Sequence, residues 1–451
     1  MKSTFRQKRL FGILASFAFV CLCLLLFPNE ARAETEGYFT YTVYGGKATL
    51  KDYSDNGPVH VEIPATLGGY PVTEIRAYAF WKNENVVTIS VPDGVTIIGD
   101  EAFYGCTSLT SIKLPDSVTN IERNTFYGCY NLTSIDIPDS VTSIGEGAFF
   151  NCVDLTSVNI PDGVTTIKRF AFNNCRNLTS VTIPDSVITI EKRAFWQCNR
   201  LTDIVIPDGV TYIDTEAFAG CHSLTNVSLP DSIQYISDRG FANCGGLKEI
   251  TLPDGLTRIG VEAFVGCTNL TDVKMPDSVH IIRDNAFKGC TSLTSVEIPE
   301  GVKIIQDCAF KSCTGLTSIT LPSSLTRVRE GAFDGCTSLQ KVTYKGTEEA
   351  WNQFQIDSGN SDLKNAEIHF EPVSEEPDVT QPSVTEPNFT VPTITVPATA
   401  ESEAPTEPVE QEGEAGIPWW AILIGAVVFC EGIVILILMK KKKLQDANKM
   451  Q

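Results

Sequence analysis

Residues 132–149 read LTSIDIPDSVTSIGEGAF, and residues 155–172 read LTSVNIPDGVTTIKRFAF. The two stretches agree in the placement of their aliphatic residues, Pro-Asp and Phe, and the same spacing continues as a repeat of 23 residues without insertions. A fixed period of this length indicates a solenoid, because one copy cannot hide its apolar face alone and stacked copies close the core. The repeat is marked by a row of phenylalanines: Phe80, Phe103, Phe126, Phe149, Phe172, Phe195, Phe218, Phe241, Phe264, Phe287, Phe310 and Phe333.

Each copy carries local signals for strands and turns. Ile112 alternates with Ser111 and Lys113, which is the period-two pattern of a strand with one buried face. Residues 115–117, Pro-Asp-Ser, predict a turn, and residues 122–126 predict a single helical turn that buries the phenylalanine. The sequence therefore predicts a repeat solenoid of about twelve 23-residue coils, with parallel β-strands and short helical turns.

The unit in residues 132–149 resembles the BspA-like leucine-rich repeats of bacterial surface proteins, and the resemblance covers roughly residues 72 to 344. A Pro-Asp-Ser or Pro-Asp-Gly turn stands where other leucine-rich repeats carry an asparagine row. The resemblance implies a leucine-rich-repeat horseshoe of parallel strands. It also implies a role in adhesion to host matrix or to other cells.

Both ends of the chain carry signals for the membrane. Residues 1–33 combine a basic start, an apolar run and a small-residue site, which predicts a cleaved signal peptide; an uncleaved signal anchor is the alternative. Residues 417–439 are apolar and precede a lysine-rich tail at 440–451, which predicts one transmembrane helix. We therefore expect a single-pass protein of the cell membrane, with the solenoid extracellular and the C-terminus cytoplasmic.

The segment between these signals divides by composition. Residues 34–71 lack the repeat's cysteine and are interpreted as an N-terminal cap, and residues 345–370 as a C-terminal cap, because the open ends of a solenoid must be covered. Residues 72–344 hold the repeats. Residues 371–416 are rich in Pro, Thr and Glu, which predicts an extended stalk.

Charge and histidine content exclude several functions. The chain has 35 Lys and Arg against 55 Asp and Glu, for a net charge of -20, which repels nucleic acid. Its 4 histidines, His60, His222, His280 and His369, lack the spacing of metal ligands. We therefore expect a protein that is not an enzyme, holds no metal or cofactor and has no nucleic-acid partner.

Eleven cysteines occupy one coil position in steps from Cys106 to Cys336. Neighbours stacked about 5 Å apart are within reach of a disulfide. An odd number cannot pair completely, however, and cysteine often behaves as a small buried hydrophobe. Buried free thiols are the favoured interpretation, with disulfides and a chain of metal sites as alternatives. Cys308 lies outside the row and is predicted to be the most accessible thiol.

Two outward rows are candidate binding positions. The residue after the repeat phenylalanine is aromatic in the N-terminal half, interrupted only by Asn173: Trp81, Tyr104, Tyr127, Phe150 and Trp196. These rings either pack as a half-buried ladder or form an exposed interface for proteins or sugars. The outer strand position differs from coil to coil and could contact a partner: Lys113, Asp136, Asn159, Thr182, Val205, Ser228, Thr251, Lys274 and Glu297.

Glu431 lies near the middle of the predicted membrane helix, where a carboxylate is costly and usually has a partner. With Gly425 and Gly432 nearby, it predicts association with another membrane helix, and thus an oligomer. A tolerated neutral acid is the alternative.

Together these patterns favour a cell-surface binding or adhesion protein. It would present a rigid solenoid to extracellular proteins or glycans, on host matrix or on neighbouring cells. The alternative, from a different class, is a structural component of the cell envelope that has no soluble ligand.

Overall fold

The computed structural model describes residues 33–371. They begin with β1 (Glu34–Glu36), β2 (Phe39–Tyr44) and β3 (Lys47–Tyr53), which form the antiparallel pairs β1–β2 and β2–β3. Strand β3 then pairs in parallel with β6 (Tyr70–Ile75). Gly45 and Gly46 connect β2 to β3 with φ of 57° and 76°, in the left-handed region that glycine adopts without strain. Between β3 and β6 lie β4 (His60–Glu62) and β5 (Thr66–Leu67).

One side of the coils, here called the strand side, carries the longer strands; in the coil that begins at Leu132 this strand is reduced to a single bridge between Asp136 and Lys113. The strands that pair on this side do so in parallel with equivalent residues opposite each other, as Val158 opposes Val181, because the repeats share a period of 23 residues. The pairing is divided among sheets of two to four strands. The central residue points into the core and its two neighbours point outward. The strand side continues from β4 through β7 (Thr88–Ser90), β9 (Ser111–Lys113), β12 (Ser157–Asn159), β14 (Ser180–Thr182), β16 (Asp203–Val205), β18 (Asn226–Ser228), β20 (Glu249–Thr251), β22 (Asp272–Lys274), β24 (Ser295–Glu297), β26 (Ser318–Leu321), β28 (Lys341–Tyr344) and β30 (Glu367–Phe370).

A second side carries two-residue strands, here called the short-strand side. Each contributes one aliphatic residue, such as Ile144, to the core, and this residue is buried in every strand except the last, where Ile356 is partly buried. The strands are β8 (Ile97–Ile98), β10 (Asn120–Ile121), β11 (Ser143–Ile144), β13 (Thr166–Ile167), β15 (Thr189–Ile190), β17 (Tyr212–Ile213), β19 (Tyr235–Ile236), β21 (Arg258–Ile259), β23 (Ile281–Ile282), β25 (Ile304–Ile305), β27 (Arg327–Val328) and β29 (Gln355–Ile356).

The third side, here called the turn side, differs from the helical turn expected at residues 122–126. The N–H of Phe150 donates to the carbonyl of Gly147 in its own coil at 3.0 Å. The N–H of Phe149 donates instead to Ala171 of the next coil at 2.8 Å. A helix directs its N–H groups along its own segment. Because alternate groups reach the next coil, the segment is a run of tight turns that also joins the coils.

The core is one continuous column of stacked side chains. The phenylalanines are fully buried, and neighbouring rings such as Phe172 and Phe195 lie 5.3 Å apart at an angle of 5°. The solenoid has about 14 turns rather than the twelve counted from the phenylalanines. The reason is that β4 and β30 extend the strand side into the segments interpreted as caps, where the repeat phenylalanine is absent.

The C-terminal end is closed by an aromatic cluster. Two short helices follow β28, α1 (Glu348–Trp351) and α2 (Ser361–Asn365), and the side chain of Thr347 caps the first. Trp351 and Phe354 lie 5.5 and 5.6 Å from the buried ring of Tyr344. These rings cover the last coil, which would otherwise expose its apolar interior.

The cysteine row is buried and free, which confirms the favoured interpretation. The thiol of Cys175 donates to the carbonyl of Phe149 in the preceding coil at 3.2 Å, and the other members of the row repeat this contact. Burial raises the pKa of these thiols, to about 12 for Cys106. Cys308 is only half-buried and is the most accessible cysteine between residues 33 and 371, as predicted.

Several predicted segments lie outside the described residues. They are the signal peptide at 1–33, most of the stalk at 371–416, the membrane helix at 417–439 with Glu431, and the tail at 440–451. Within residues 33–371, no helix has the length and apolar character needed to span a bilayer.

Candidate binding surface

The predicted aromatic row forms a ladder on the turn side. The rings of Tyr104, Tyr127 and Phe150 stack at centroid distances of 4.6 Å and angles of 7° and 4°. Each inner ring therefore has both faces covered by its neighbours and presents its edge outward. This geometry supports packing between coils more directly than it supports stacking on a ligand.

The two ends of the ladder differ. Phe150 is covered by the edge of Phe170 at 6.2 Å. The ring centres of Trp81 and Tyr104 are 6.4 Å apart, and the ammonium of Lys82 lies 4.3 Å from the centre of the Trp81 ring. Trp81 is nevertheless 48% exposed. The free aromatic surface of the ladder is therefore concentrated at Trp81.

Trp196 stands apart from these four rings. Buried Asn173 interrupts the row between Phe150 and Trp196, and the following coil has Ala219 at the same position. The guanidinium of Arg193 lies 5.8 Å from the centre of the Trp196 ring. The structure thus brings four of the five predicted aromatic residues together and leaves the fifth separate.

The variable row lies on the strand side and is exposed throughout. Lys113 and Asp136 are paired neighbours in adjacent coils, and Asn159 occupies the next rung. Val205 is apolar, and its side chain is nevertheless 66% exposed. The aromatic ladder and the variable row lie on different sides of the coil, so they form two surfaces rather than one site.

Near the C-terminal end, the strand side holds a shallow cavity of about 330 Å³ that sequence reasoning did not identify. Lys345 reaches back over two coils to Glu297, with 2.6 Å between ammonium and carboxylate. Lys274 and Asp272 line the same cavity. Two members of the variable row, Lys274 and Glu297, therefore belong to a concave part of this surface.

A ridge of alternating charge was also missed. Arg193, Glu216, Arg239 and Glu262 occupy the same turn-side position in four consecutive coils. Arg239 lies 3.5 Å from Glu216 and 2.6 Å from Glu262. Burial acts to raise the pKa of Glu216, but the hydrogen bonds and charges of Arg193 and Arg239 outweigh it, and the pKa is lowered.

Replacing Glu216 by Gln is expected to lower the free energy of unfolding by about 1 kcal/mol at neutral pH. Its side chain is 9% exposed and bridges Arg193 and Arg239. Because the folded-state pKa is lowered, the contribution is present above the unfolded pKa of about 4.3 and is lost as pH falls through the folded value. Urea unfolding at neutral and acidic pH measures the difference.

Glu262→Gln is the matched control for this ridge. Within residues 33–371, Glu262 forms a salt bridge with Arg239 alone, and its side chain is 27% exposed, so a smaller loss is expected. An equal loss for Glu216→Gln at neutral and at acidic pH would contradict the ionic explanation.

Among residues 33–371, no group of three or more His, Cys, Asp and Glu side chains could hold a metal ion. The buried thiols have raised pKa values, so they are poor nucleophiles at neutral pH. What the fold offers is extended outward rows on a regular scaffold.

Stacked parallel strands at a 23-residue period define a leucine-rich-repeat solenoid. The chain belongs to the BspA-type leucine-rich-repeat family: the family model described as BspA type Leucine rich repeat region (6 copies) matches residues 73–201, 142–271, 188–313 and 257–369. Proteins of this family are cell-surface repeat proteins and are generally not enzymes. No curated protein matches the chain.

Two solved structures support the same assignment. A leucine rich cell surface protein from Faecalibacterium prausnitzii is 34% identical, with 73% of this chain and 99% of that chain covered and a TM-score of 0.50. A leucine-rich repeat protein from Bacteroides ovatus is 31% identical, with 72% of this chain and 99% of that chain covered and a TM-score of 0.53. The chain is thus similar to bacterial leucine-rich repeat proteins over most of its length.

Proposed function

We propose that this protein is a cell-surface recognition protein that binds extracellular proteins or glycans through its solenoid. The supporting observation is a contrast within the repeat. Inward positions hold nearly the same residue in every coil, whereas the outward row at the end of the longer strand changes from Lys113 to Asp136 to Asn159. Packing does not require these changes, because the side chains are exposed. The variation is therefore available for contact with a partner.

The strand side suits contact with a macromolecule rather than with a small metabolite. Its outward rows follow a regular scaffold, with neighbouring strands about 4.8 Å apart. Fixed spacing of many side chains lowers the conformational cost of forming several contacts together. Adhesion would then arise from many modest contacts, with a few residues contributing most of the free energy.

The proposal includes a place in the cell. A cleaved signal peptide and one membrane helix would hold the solenoid outside, with the stalk as a spacer. Association through Glu431 would bring copies together and raise their effective concentration at a surface. Crosslinking the isolated membrane segment with and without Glu431→Leu tests this part, and equal dimer yields would remove the oligomer from the proposal.

A binding screen with residues 34–370 against matrix proteins and glycans tests the main proposal. Replacing Lys113, Asp136 and Asn159 together by Ser is expected to weaken binding of the ligand found by about tenfold or more. The thermal melt should stay within a few degrees of the parent, because all three side chains are exposed.

The matched control changes exposed residues of the short-strand side in the same region: Thr119→Ser, Thr142→Ser and Thr165→Ser. This variant should bind like the parent. Equal binding by both variants would rule out the N-terminal part of the variable row. If the screen identifies no ligand, the result would favour the alternative function, a structural component of the cell envelope.

A further inference from the structure

The N-terminal end of the turn side contains a cavity of about 540 Å³. It forms because the first coil with a repeat phenylalanine is covered upstream by β3 and the turn after it, rather than by another complete coil. Tyr53, at the end of β3, stacks on Phe80 at 5.1 Å and continues the core. Beyond Tyr53 the chain turns away through residues 54–57, and the space beside Trp81 is left open.

Two half-exposed aromatic rings line this cavity. Trp81 is the first ring of the ladder and is held by its contacts with Tyr104 and Lys82. Tyr38 is held edge-on against Tyr53 at 6.4 Å. Both rings are thus positioned by packing while part of their surface faces the cavity. A π face is electron-rich and attracts the weakly positive C–H groups of a sugar ring.

Asn83 provides a hydrogen-bond donor in the cavity lining. It is 2% exposed, and its Oδ1 accepts hydrogen bonds from the backbone N–H groups of Asn85 and Val86 at 3.2 Å. Its Nδ2 has no partner in the described structure. Leaving such a buried donor unpaired is unfavourable, and a hydrogen bond to a ligand oxygen would remove that penalty.

This asparagine also departs from the repeat. The equivalent position is cysteine in the next eleven coils, from Cys106 to Cys336, where the thiol donates to a backbone carbonyl of the preceding coil. Packing is therefore satisfied by cysteine. At this one coil the amide oxygen accepts from two backbone N–H groups, and the amide nitrogen is left without a partner beside the cavity.

The remaining polar lining accepts hydrogen bonds. Asp52 and Asp55 line the cavity, and no salt bridge engages either carboxylate within residues 33–371. No Lys or Arg is part of the lining, although the ammonium of Lys82 lies 4.3 Å from the ring centre of Trp81. Thr35 and Ser54 add hydroxyls. The cavity thus combines acidic acceptors, one buried donor and aromatic surface.

We propose that this cavity binds a neutral sugar residue of a glycan. Sugar hydroxyls both donate to Asp52 or Asp55 and accept from Asn83, while the apolar face of the ring packs on Trp81. An acidic sugar would be repelled by the two carboxylates and by the net charge of -20. An organic ammonium ion would suit the aromatic and acidic groups but would leave Nδ2 of Asn83 unpaired.

This inference rests on the proposed recognition function, because the ligand must be met outside the cell, but it uses a different side of the coil. The full-length protein in mild detergent is screened on an array of neutral and sialylated oligosaccharides. The best neutral oligosaccharide is then titrated by calorimetry, with choline chloride as a separate probe. We expect binding of neutral oligosaccharides and none of choline.

Three variants connect that binding to the cavity. Trp81→Ala and Asp55→Asn should each weaken it about tenfold or more. Asn83→Cys should do the same, and it installs the residue that the repeat itself uses at this position. Tyr44→Ala is the control, because Tyr44 is an exposed ring at the end of β2 outside the cavity lining, and it should bind like the parent.

The outcomes separate this inference from the proposed function. Absence of neutral-sugar binding, binding of choline instead, or full binding by both Trp81→Ala and Asn83→Cys would overturn the sugar site. None of these results depends on the variable row. Conversely, the variant with Ser at 113, 136 and 159 should keep its affinity for the neutral sugar even where it loses its strand-side partner.

Discussion

Raising the pH from about 8 to about 10 is expected to unfold residues 34–370 cooperatively under reducing conditions. The cause is the buried cysteine row. Burial raises the pKa of each thiol well above its unfolded value, as for Cys129 and Cys152. The protonated row stabilises the fold fully below the unfolded pKa, and this stability is lost as pH rises toward the folded values.

The number of thiols makes the effect large. Each contributes about 1.4 kcal/mol per pH unit between its unfolded and folded pKa, so eleven together contribute roughly 15 kcal/mol per unit. Domains are commonly stable by about 5–15 kcal/mol. The fold should therefore be lost within about one pH unit above the unfolded thiol pKa of about 8.5.

Circular dichroism and urea unfolding across this pH range measure the slope of the unfolding free energy. The matched variant replaces four members of the row by Ala: Cys152, Cys175, Cys198 and Cys221. Because four of the eleven thiols are removed, the slope of its unfolding free energy against pH should be smaller by four elevenths, whatever its stability at neutral pH. An unchanged slope would assign the alkaline transition to tyrosines, several of which also have raised pKa values, and would contradict the role of the thiols.

The sequence was sufficient to predict which residues form the core. A period without insertions places equivalent residues above each other, so Phe172 must lie between Phe149 and Phe195, and one buried cysteine implies a buried column. The strands of the strand side could also be predicted, because buried Ile112 alternates with outward Ser111 and Lys113.

The conformation of the turn side was not available from the same pattern. Residues 122–126 have a composition that suits one helical turn, and local sequence cannot show that alternate N–H groups donate to the next coil. The coil number was underestimated for a related reason. The strands His60–Glu62 and Glu367–Phe370 pair through backbone hydrogen bonds, and their coils lack the phenylalanine that was counted.

The candidate sites were predicted only in part. Placement of the aromatic residues was clear, but whether their faces were free depended on ring geometry that only the structure provides. The charged ridge could have been predicted from the sequence, because Arg193, Glu216 and Arg239 alternate in sign at the repeat period. Asn83 could also have been recognised from the sequence, because it occupies the position of the cysteine row one coil before Cys106. Its proximity to Asp52 and Asp55, in contrast, depends on the fold of residues 34–71.

Replacing Phe172 by Ala is expected to lower the free energy of unfolding by about 3–5 kcal/mol. The ring is fully buried and stacks on Phe149 and Phe195 at 5.3 Å on both sides, so truncation leaves a cavity in the middle of the core column. Each coil of a solenoid is stabilised mainly by its neighbours. The defect should therefore uncouple the two halves, and denaturant unfolding followed by circular dichroism should split into two transitions.

Two controls separate lost packing from lost coupling. Phe172→Leu retains an apolar side chain of similar volume and should cost about 1 kcal/mol without splitting the transition. Phe333→Ala removes the last ring of the column, which among the described rings stacks on Phe310 alone, so it should destabilise the C-terminal end while the remaining coils unfold together. A single unshifted transition for Phe172→Ala would mean that the column does not carry the coupling between coils, and the solenoid would then depend on its backbone ladders alone.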